Sequence, residues 1–267
     1  MTIAVCLQTI ESIAFATDSA LTASNANGII AVYNTTPKIF NLHKGSAIGA
    51  MSWGTHSFGD TILNVIMKEF RDHLTNNTIP NANIDISNFT IQEVANAFAD
   101  YLFNRHIQGR TIPDNTVTGF IIAGISSSNG EKQIFEIIFI EAKPPIITDK
   151  SNESLLWAGD GESLTRLVNG YSPLLGSILG QEGLNQAQIN NILFNMKSLS
   201  QAIIDPYMPI QEVIDLSAFL VNTASGYSRF TPGASTIGGP LEIATMTKHE
   251  QFKWIERKHY FSNELNS

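Results

Sequence analysis

Thr2 directly follows the initiator methionine, Asp18 lies sixteen residues on, and Lys38 opens the segment Lys38-Ile39-Phe40. Removal of Met1 would leave a threonine carrying both a hydroxyl and a free α-amine. A threonine hydroxyl is a weak nucleophile until a neighbouring base takes its proton, and an N-terminal amine can be that base. The unperturbed pKa of such an amine is roughly 8, so much of it can be neutral near physiological pH. A lysine ammonium beside the hydroxyl lowers the hydroxyl pKa and discourages protonation of the amine. A buried lysine needs a carboxylate in turn, and Asp18 is the candidate. Each residue also has a plain reading. Met-Thr is an ordinary start, Asp18 suits a strand-to-turn exit in which it accepts backbone N–H bonds, and Lys38 suits a solvated surface. The argument for chemistry rests on the three occurring together, in order, on suitable elements.

Those elements read as follows. Residues 2–10 and 12–17 are short apolar runs around a tight turn and predict a hairpin, with Ile3, Val5 and Leu7 on one face and Ala4 and Cys6 on the other. Both faces are apolar, so the sheet is expected to be covered on both sides. Residues 20–36 read as a loop with one short strand near 29–33. Residues 38–42 and 47–52 read as strands, the second entering a tight turn at Trp53-Gly54-Thr55. An amphipathic helix is expected over 60–74, with Ile62, Val65, Ile66 and Phe70 on its stripe. Thr90 with Glu93 forms a capping-box pattern opening a second helix to about Arg105, with Val94, Phe98, Tyr101 and Leu102 on its face. Strands follow at 116–125, 133–141 and 155–158, the last leading into Gly159-Asp160-Gly161. Helical patterns cover 162–170, 186–197 and 209–224, with Pro209 at the start of the last and Gly226 past its end. Strands at 236–247 and 251–257 and a frayed tail after Tyr260 complete the chain. No repeat or linker stands out. The expectation is one layered α+β domain over 1–267, two sheets face to face with helices outside them.

Composition narrows the function. The net charge of −8 and the lack of a Lys/Arg run argue against a nucleic-acid partner. The single cysteine, Cys6, cannot form an internal disulfide, which fits a reducing compartment. There is no signal-peptide pattern and no apolar stretch of about 18 residues, so a cytoplasmic protein without membrane association is expected. The six histidines, His43, His56, His73, His106, His249 and His259, show no metal-ligand spacing. No Gly-x-Ser-x-Gly elbow or phosphate loop is present. No metal and no cofactor are expected.

Over roughly 2–247, and most strongly over 2–55, the chain resembles the 20S proteasome β-subunit family of the N-terminal nucleophile hydrolases. Thr2 followed by Phe15-Ala16-Thr17-Asp18-Ser19-Ala20-Leu21-Thr22 is similar to the family opening, in which an N-terminal threonine precedes an Ala-Ala-Asp-Ser-Arg-Ala-Thr pattern at this separation. Lys38-Ile39-Phe40 resembles the lysine-led strand, and Ala158-Gly159-Asp160-Gly161 and Ile237-Gly238-Gly239-Pro240-Leu241-Glu242-Ile243 fall where related segments fall. The resemblance implies a four-layer α-β-β-α sandwich, assembly into homo-oligomeric rings, and hydrolysis of peptide or unfolded polypeptide through an acyl-enzyme. By position, Thr2 would be nucleophile and, through its amine, base; Lys38 would tune the pKa and Asp18 would hold Lys38. A backbone N–H in the turn after strand 47–52 would stabilise the oxyanion. Gly54 fits that place, because a residue without Cβ admits a substrate carbonyl closely; Trp53 is the competing alignment. His56, near that turn, reads either as a substrate contact or as a structural histidine.

This chain departs from the pattern in several places. The arginine of the Asp-Ser-Arg-Ala-Thr element is missing, and the Asp18–Lys38 loop is longer. Asp160 stands where members often carry a serine. It can bind the amine or hold it protonated, or serve as a plain turn residue. Only Gly238-Gly239 remains of an Asp-x-x-Ser-Gly-Gly element, with Ser235 and Thr236 as candidate substitutes. Residues 170–208 form an elaborated helical segment in which Leu174, Leu175, Ile178 and Leu179 read as core or interface. An ATP-dependent unfoldase partner is common for such rings, and no docking motif here marks one. Two other readings share the residues: an amidohydrolase acting on a small amide, and a non-catalytic ring subunit. The second does not explain a buried lysine beside the N-terminus.

Overall fold

The N-terminal hairpin forms as its apolar runs require. In a computed structural model describing residues 2–25, 28–200, 202–233 and 236–258, β1 (Ile3–Gln8) and β2 (Ser12–Thr17) pair antiparallel with Ala4 opposite Thr17. The chain continues through β3 (Leu21–Asn25), β4 (Gly28–Tyr33), β5 (Ile39–Asn41), β6 (Ile48–Gly54), β7 (Ser57–Phe58) and β8 (Thr61–Ile62). Helices α1 (Leu63–Thr75) and α2 (Ile91–Leu102) follow, the second running into a π-helical turn, Phe103–Ile107. Then come β9 (Val117–Ile125), β10 (Lys132–Ile140), β11 (Ile146–Asp149) and β12 (Leu155–Gly159). Helices α3 (Glu162–Asn169), α4 (Leu175–Gln181), α5 (Gln186–Lys197) and α6 (Ile210–Phe230) lead to β13 (Glu242–Thr247) and β14 (Gln251–Glu256). None of the helices among the described residues is long and apolar enough to cross a membrane.

Two five-stranded antiparallel sheets organise the chain, one in the order β12-β1-β2-β13-β14 and the other β11-β10-β9-β6-β5. Strand alternation divides the apolar residues among three clusters. Ile3, Val5 and Leu7 pack with Val213, Leu220 and Val221 of α6 and Leu164 of α3. Ala4, Cys6, Ile13 and Phe15 pack with Ile39, Met51, Ile121 and Ala123 of the second sheet. Phe40, Ile48, Ala50 and Phe120 pack with α1 and α2. The two expected faces of β1 are thus both covered. Phe98 links the third cluster, meeting Phe70 edge-on at 5.1 Å and Phe120 at 4.9 Å. Such pairs contribute about 0.5–1.5 kcal/mol each beyond their buried area.

Several expectations shift. The Thr90–Glu93 capping box is present and all four residues expected on the α2 face are buried. The α1 stripe is corrected: a short β7–β8 hairpin occupies residues 57–62, so helical phase starts at Leu63. The buried face is Leu63, Ile66, Met67, Phe70 and Leu74, while Ile62 and Val65 are exposed. Residues 20–36 hold two paired strands rather than one, because an exposed ribbon lacks the alternation that reveals a strand. Gly226 does not end the last helix, which continues to Phe230; a helical glycine costs only about 1 kcal/mol. Residues 236–241 are irregular and the strand begins at Glu242. Strand β11 and helix α4 have no counterpart in the expected elements. No residue of α4 is buried, and Leu174 and Ile178 are exposed, so this stretch is not core. The tail after Tyr260 lies outside the described residues.

His106, in the π-helical turn, is buried against Tyr101 with neither ring nitrogen hydrogen-bonded among the described residues. Burial lowers its pKa, Arg105 and Arg110 add to that, and Glu69 opposes it. Below about pH 6.5 the unfolded chain then binds a proton that the folded chain refuses. Its contribution is present above that pH and lost as pH falls through the folded pKa. Urea midpoints at pH 7.5 and 5.5 are expected to differ less in His106→Leu than in the parent; an unchanged difference would refute this role.

Candidate active site

Asp18 follows the last residue of β2 and continues the β1–β2 ladder with its side chain. Its N–H donates to the Ile3 carbonyl at 3.3 Å, and the Ile3 N–H donates to Asp18 Oδ1 at 3.1 Å. The other oxygen, Oδ2, accepts the N–H groups of Ala20 (3.0 Å) and Gly238 (3.1 Å). Lys38 comes from the other sheet. It precedes β5, and its carbonyl accepts the Ser52 N–H of β6 at 3.0 Å. Lys38 Nζ lies 2.6 Å from Asp18 Oδ1, so one carboxylate oxygen holds both the lysine and the peptide that follows Thr2. Both partners are buried, at 4% and 1% exposure. Burial drives the Lys38 pKa below the ordinary lysine range, against the upward pull of Asp18 and of Glu242.

Thr2 is itself buried, at 7% exposure. β12 runs beside β1 with Gly159 opposite Ile3, and the Asp160 N–H donates to the Thr2 carbonyl at 2.7 Å. Gly159 has φ +89°, and a Cβ there would stand 1.8 Å from the Thr2 carbonyl oxygen. Only glycine lets the two backbones approach this closely. Asp160 and Thr236 line one cavity of about 180 Å³ with Glu162, Tyr227 and Ile237. Ser235 lies outside the described residues.

Gly54 is the last residue of β6, paired with Thr118, rather than part of a free turn. It lies two residues beyond Ser52, which stands opposite Lys38. Its φ of +87° and the 2.2 Å that a Cβ would leave to the Val117 carbonyl explain the glycine by packing alone. The Trp53 indole lies over Gly119. Half-buried His56 is held toward its neutral form by burial and then by the charge of Lys38.

Residues outside the expected set complete the arrangement. Glu242, 2% exposed, accepts the Lys38 N–H at 3.0 Å through Oε2. Its Oε1 lies 3.6 Å from Lys258 Nζ, whose side chain is 9% exposed. Lys258 also donates to Ser19 Oγ at 2.7 Å and to the Thr36 carbonyl, while Ser19 Oγ donates to the Pro240 carbonyl. The irregular segment before β13 contributes the Gly238 N–H to Asp18 and the Gly238 carbonyl to the Ser19 N–H. Alternation carried one signal of this: Glu242 shares its strand face with Ala244 and Met246, which point between the sheets, where an acid needs a partner.

No family model matches the sequence, and no curated protein matches it. Among solved structures, an Anbu mutant from Hyphomicrobium sp. strain MC1 is similar, with a TM-score of 0.55 and 14% identity over 98% of this chain and 88% of that one. Anbu is a bacterial proteasome-like protein. The fold is proteasome-like. At this identity the likeness is one of fold, and the chemistry has to be argued from the residues.

Proposed function

We propose that this chain is a threonine-type peptidase of the N-terminal nucleophile class, acting on peptide or unfolded polypeptide. One observation carries the reading: the buried Asp18 oxygen shared by Lys38 Nζ and the Ile3 N–H. A buried ion pair costs desolvation and is weak evidence for stability by itself. A pair placed against the peptide of Thr2, with the lysine pKa depressed, is what tuning of that residue requires.

After loss of Met1, the neutral Thr2 amine takes the hydroxyl proton as Oγ1 attacks the substrate carbonyl carbon. The C=O electron pair moves to oxygen, and the Gly54 N–H is the proposed donor to that oxyanion. Collapse breaks the C–N bond, the Thr2 ammonium returns its proton to the leaving amine, and a threonyl ester remains. Water then attacks the ester with the same amine as base, releasing acid and restoring the hydroxyl. Lys38, held by Asp18, favours the ionised hydroxyl, and Asp160 orients the amine.

The same reading takes the three apolar clusters as the interlayers of a four-layer α-β-β-α sandwich, one domain over 1–267, working in the cytoplasm. Ring assembly is supported by large apolar side chains exposed on the elaborated 170–208 segment, Leu174, Ile178, Phe194 and Leu199. An ATP-dependent unfoldase would supply unfolded substrate to such a ring. A scaffold role leaves the buried lysine without a purpose.

Intact mass before and after an N-terminal-threonine-directed epoxyketone tests the proposal. The expected result is loss of one methionine and then one covalent adduct, absent in Thr2→Ala. Retained Met1, or a processed Thr2 that never labels, would overturn the peptidase reading.

A further inference from the structure

A second concave site lies between β5, α1 and the stretch at the end of β14, with Glu242 in its lining. Its volume is about 270 Å³, near the small end of ligand pockets. Lys44, Lys68, Arg71, Arg257 and Lys258 line it, with Glu242 as the single carboxylate. Five of the chain's 16 lysines and arginines therefore meet at one cavity of a protein with net charge −8. The sequence places two of them deliberately: Asn64, Lys68 and Arg71 fall on one stripe of α1, beside the buried face.

Glu242 offsets one member of this cluster, Lys258, while its other oxygen accepts the Lys38 N–H, which leaves four cations in excess. Among the described residues, no carboxylate forms an ion pair with Lys44, Lys68, Arg71 or Arg257. Arg257 is laid over the Trp254 ring at 4.8 Å, which fixes its guanidinium at the rim without cancelling its charge. Burial holds His43 toward its neutral form, and the Arg71 charge adds to that. Like charges gathered around a concave surface repel one another and focus a positive potential into it. Arginine forks and mobile lysine ammoniums are the donors that oxyanions take up through charge-assisted hydrogen bonds.

We propose that this cavity binds a small polyanion, a ligand bearing two or more phosphate or carboxylate groups. None of Thr2, Asp18 and Lys38 lines the cavity, although Glu242 and Lys258 belong both to it and to the surroundings of the Asp18–Lys38 pair. Calorimetric titration of the full chain with pyrophosphate, and in a parallel arm with citrate, tests the site and distinguishes phosphate from carboxylate. Saturable binding that weakens with added salt is expected in at least one arm. The double variant Lys68→Ala/Arg71→Ala should weaken it by about tenfold or more, as the loss of two charge-assisted contacts implies. Lys143→Ala, remote from the cavity, should leave it unchanged. Without ligand neither variant should melt below the parent, since the substituted side chains stand outside the buried core and loss of Lys68 and Arg71 relieves repulsion. No saturable binding in either arm, equal binding by the double variant, or equal weakening by Lys143→Ala would overturn the proposal.

Discussion

Lys38→Ala is expected to lower unfolding free energy by about 3 kcal/mol and to slow epoxyketone labelling of Thr2 by a hundredfold or more. Breaking a buried pair by removing one partner typically costs about 3–5 kcal/mol, because the other charge stays buried. The lower end applies, since Asp18 keeps the N–H groups of Ile3, Ala20 and Gly238. The labelling loss follows from removing the charge that favours the ionised hydroxyl; loss of one preorganised electrostatic group typically costs on the order of 10²–10³-fold. A double-mutant cycle with Asp18→Asn separates the pair from its surroundings. The double variant should lose less than the two single losses combined, by about 1 kcal/mol or more. Additive losses, or a Lys38→Ala protein that labels at the parental rate, would refute the coupling or the catalytic role respectively.

Gly159→Ala acts on the same residue from the other sheet neighbour. The added Cβ would lie 1.8 Å from the Thr2 carbonyl oxygen and 2.8 Å from its carbon, both backbone atoms without a rotamer to yield. Thr2 must move, carrying its hydroxyl and amine with it. A misplacement of about 1 Å at a reacting group costs on the order of a hundredfold, and that loss is expected in the labelling rate. Gly170→Ala is the control. It has a similar φ of +78° but open space around its Cβ, so it carries the backbone strain without the collision. Its expected cost is about 1 kcal/mol in stability and nothing in rate. Equal rates for the two variants would show that Thr2 placement does not govern reactivity.

Much of this arrangement was legible in residue types and spacing. Thr2, Asp18 and Lys38 sit at strand ends that apolar runs and turn residues delimit, and the structure joins Asp18 both to Lys38 and to the peptide after Thr2. The α2 cap was readable because both of its hydrogen bonds are local. What escaped was long-range or a matter of phase. The Gly238 N–H on Asp18 and the Glu242 carboxylate on Lys38 depend on which strand neighbours β2, which no local pattern states. The α1 stripe was misread at two of its four positions: Ile62 belongs to the β7–β8 hairpin rather than to the helix, and Val65 lies beside the face on which Ile66 and Phe70 are buried. Gly54 was singled out for a substrate, yet packing on β9 already accounts for it.

The contacts around Asp18 and Lys38 also bear on the order in which the molecule can come together. Gly238 reaches Asp18 across 220 positions of chain, and Glu242 reaches Lys38 across 204. Closing loops of that length is repaid only when β13 docks on β2, and non-local pairing of this kind is slow relative to forming helices and hairpins. The N-terminal hairpin, α1 and α2 can be in place while the Lys38 backbone still lacks its carboxylate and Asp18 lacks one of its N–H donors. A chain interrupted at that stage would hold its N-terminal hairpin and helices without the two long-range contacts that brace the Asp18–Lys38 pair. The late strand acts in effect as a safety catch: the proposed activity would arrive with completion of the fold and not before.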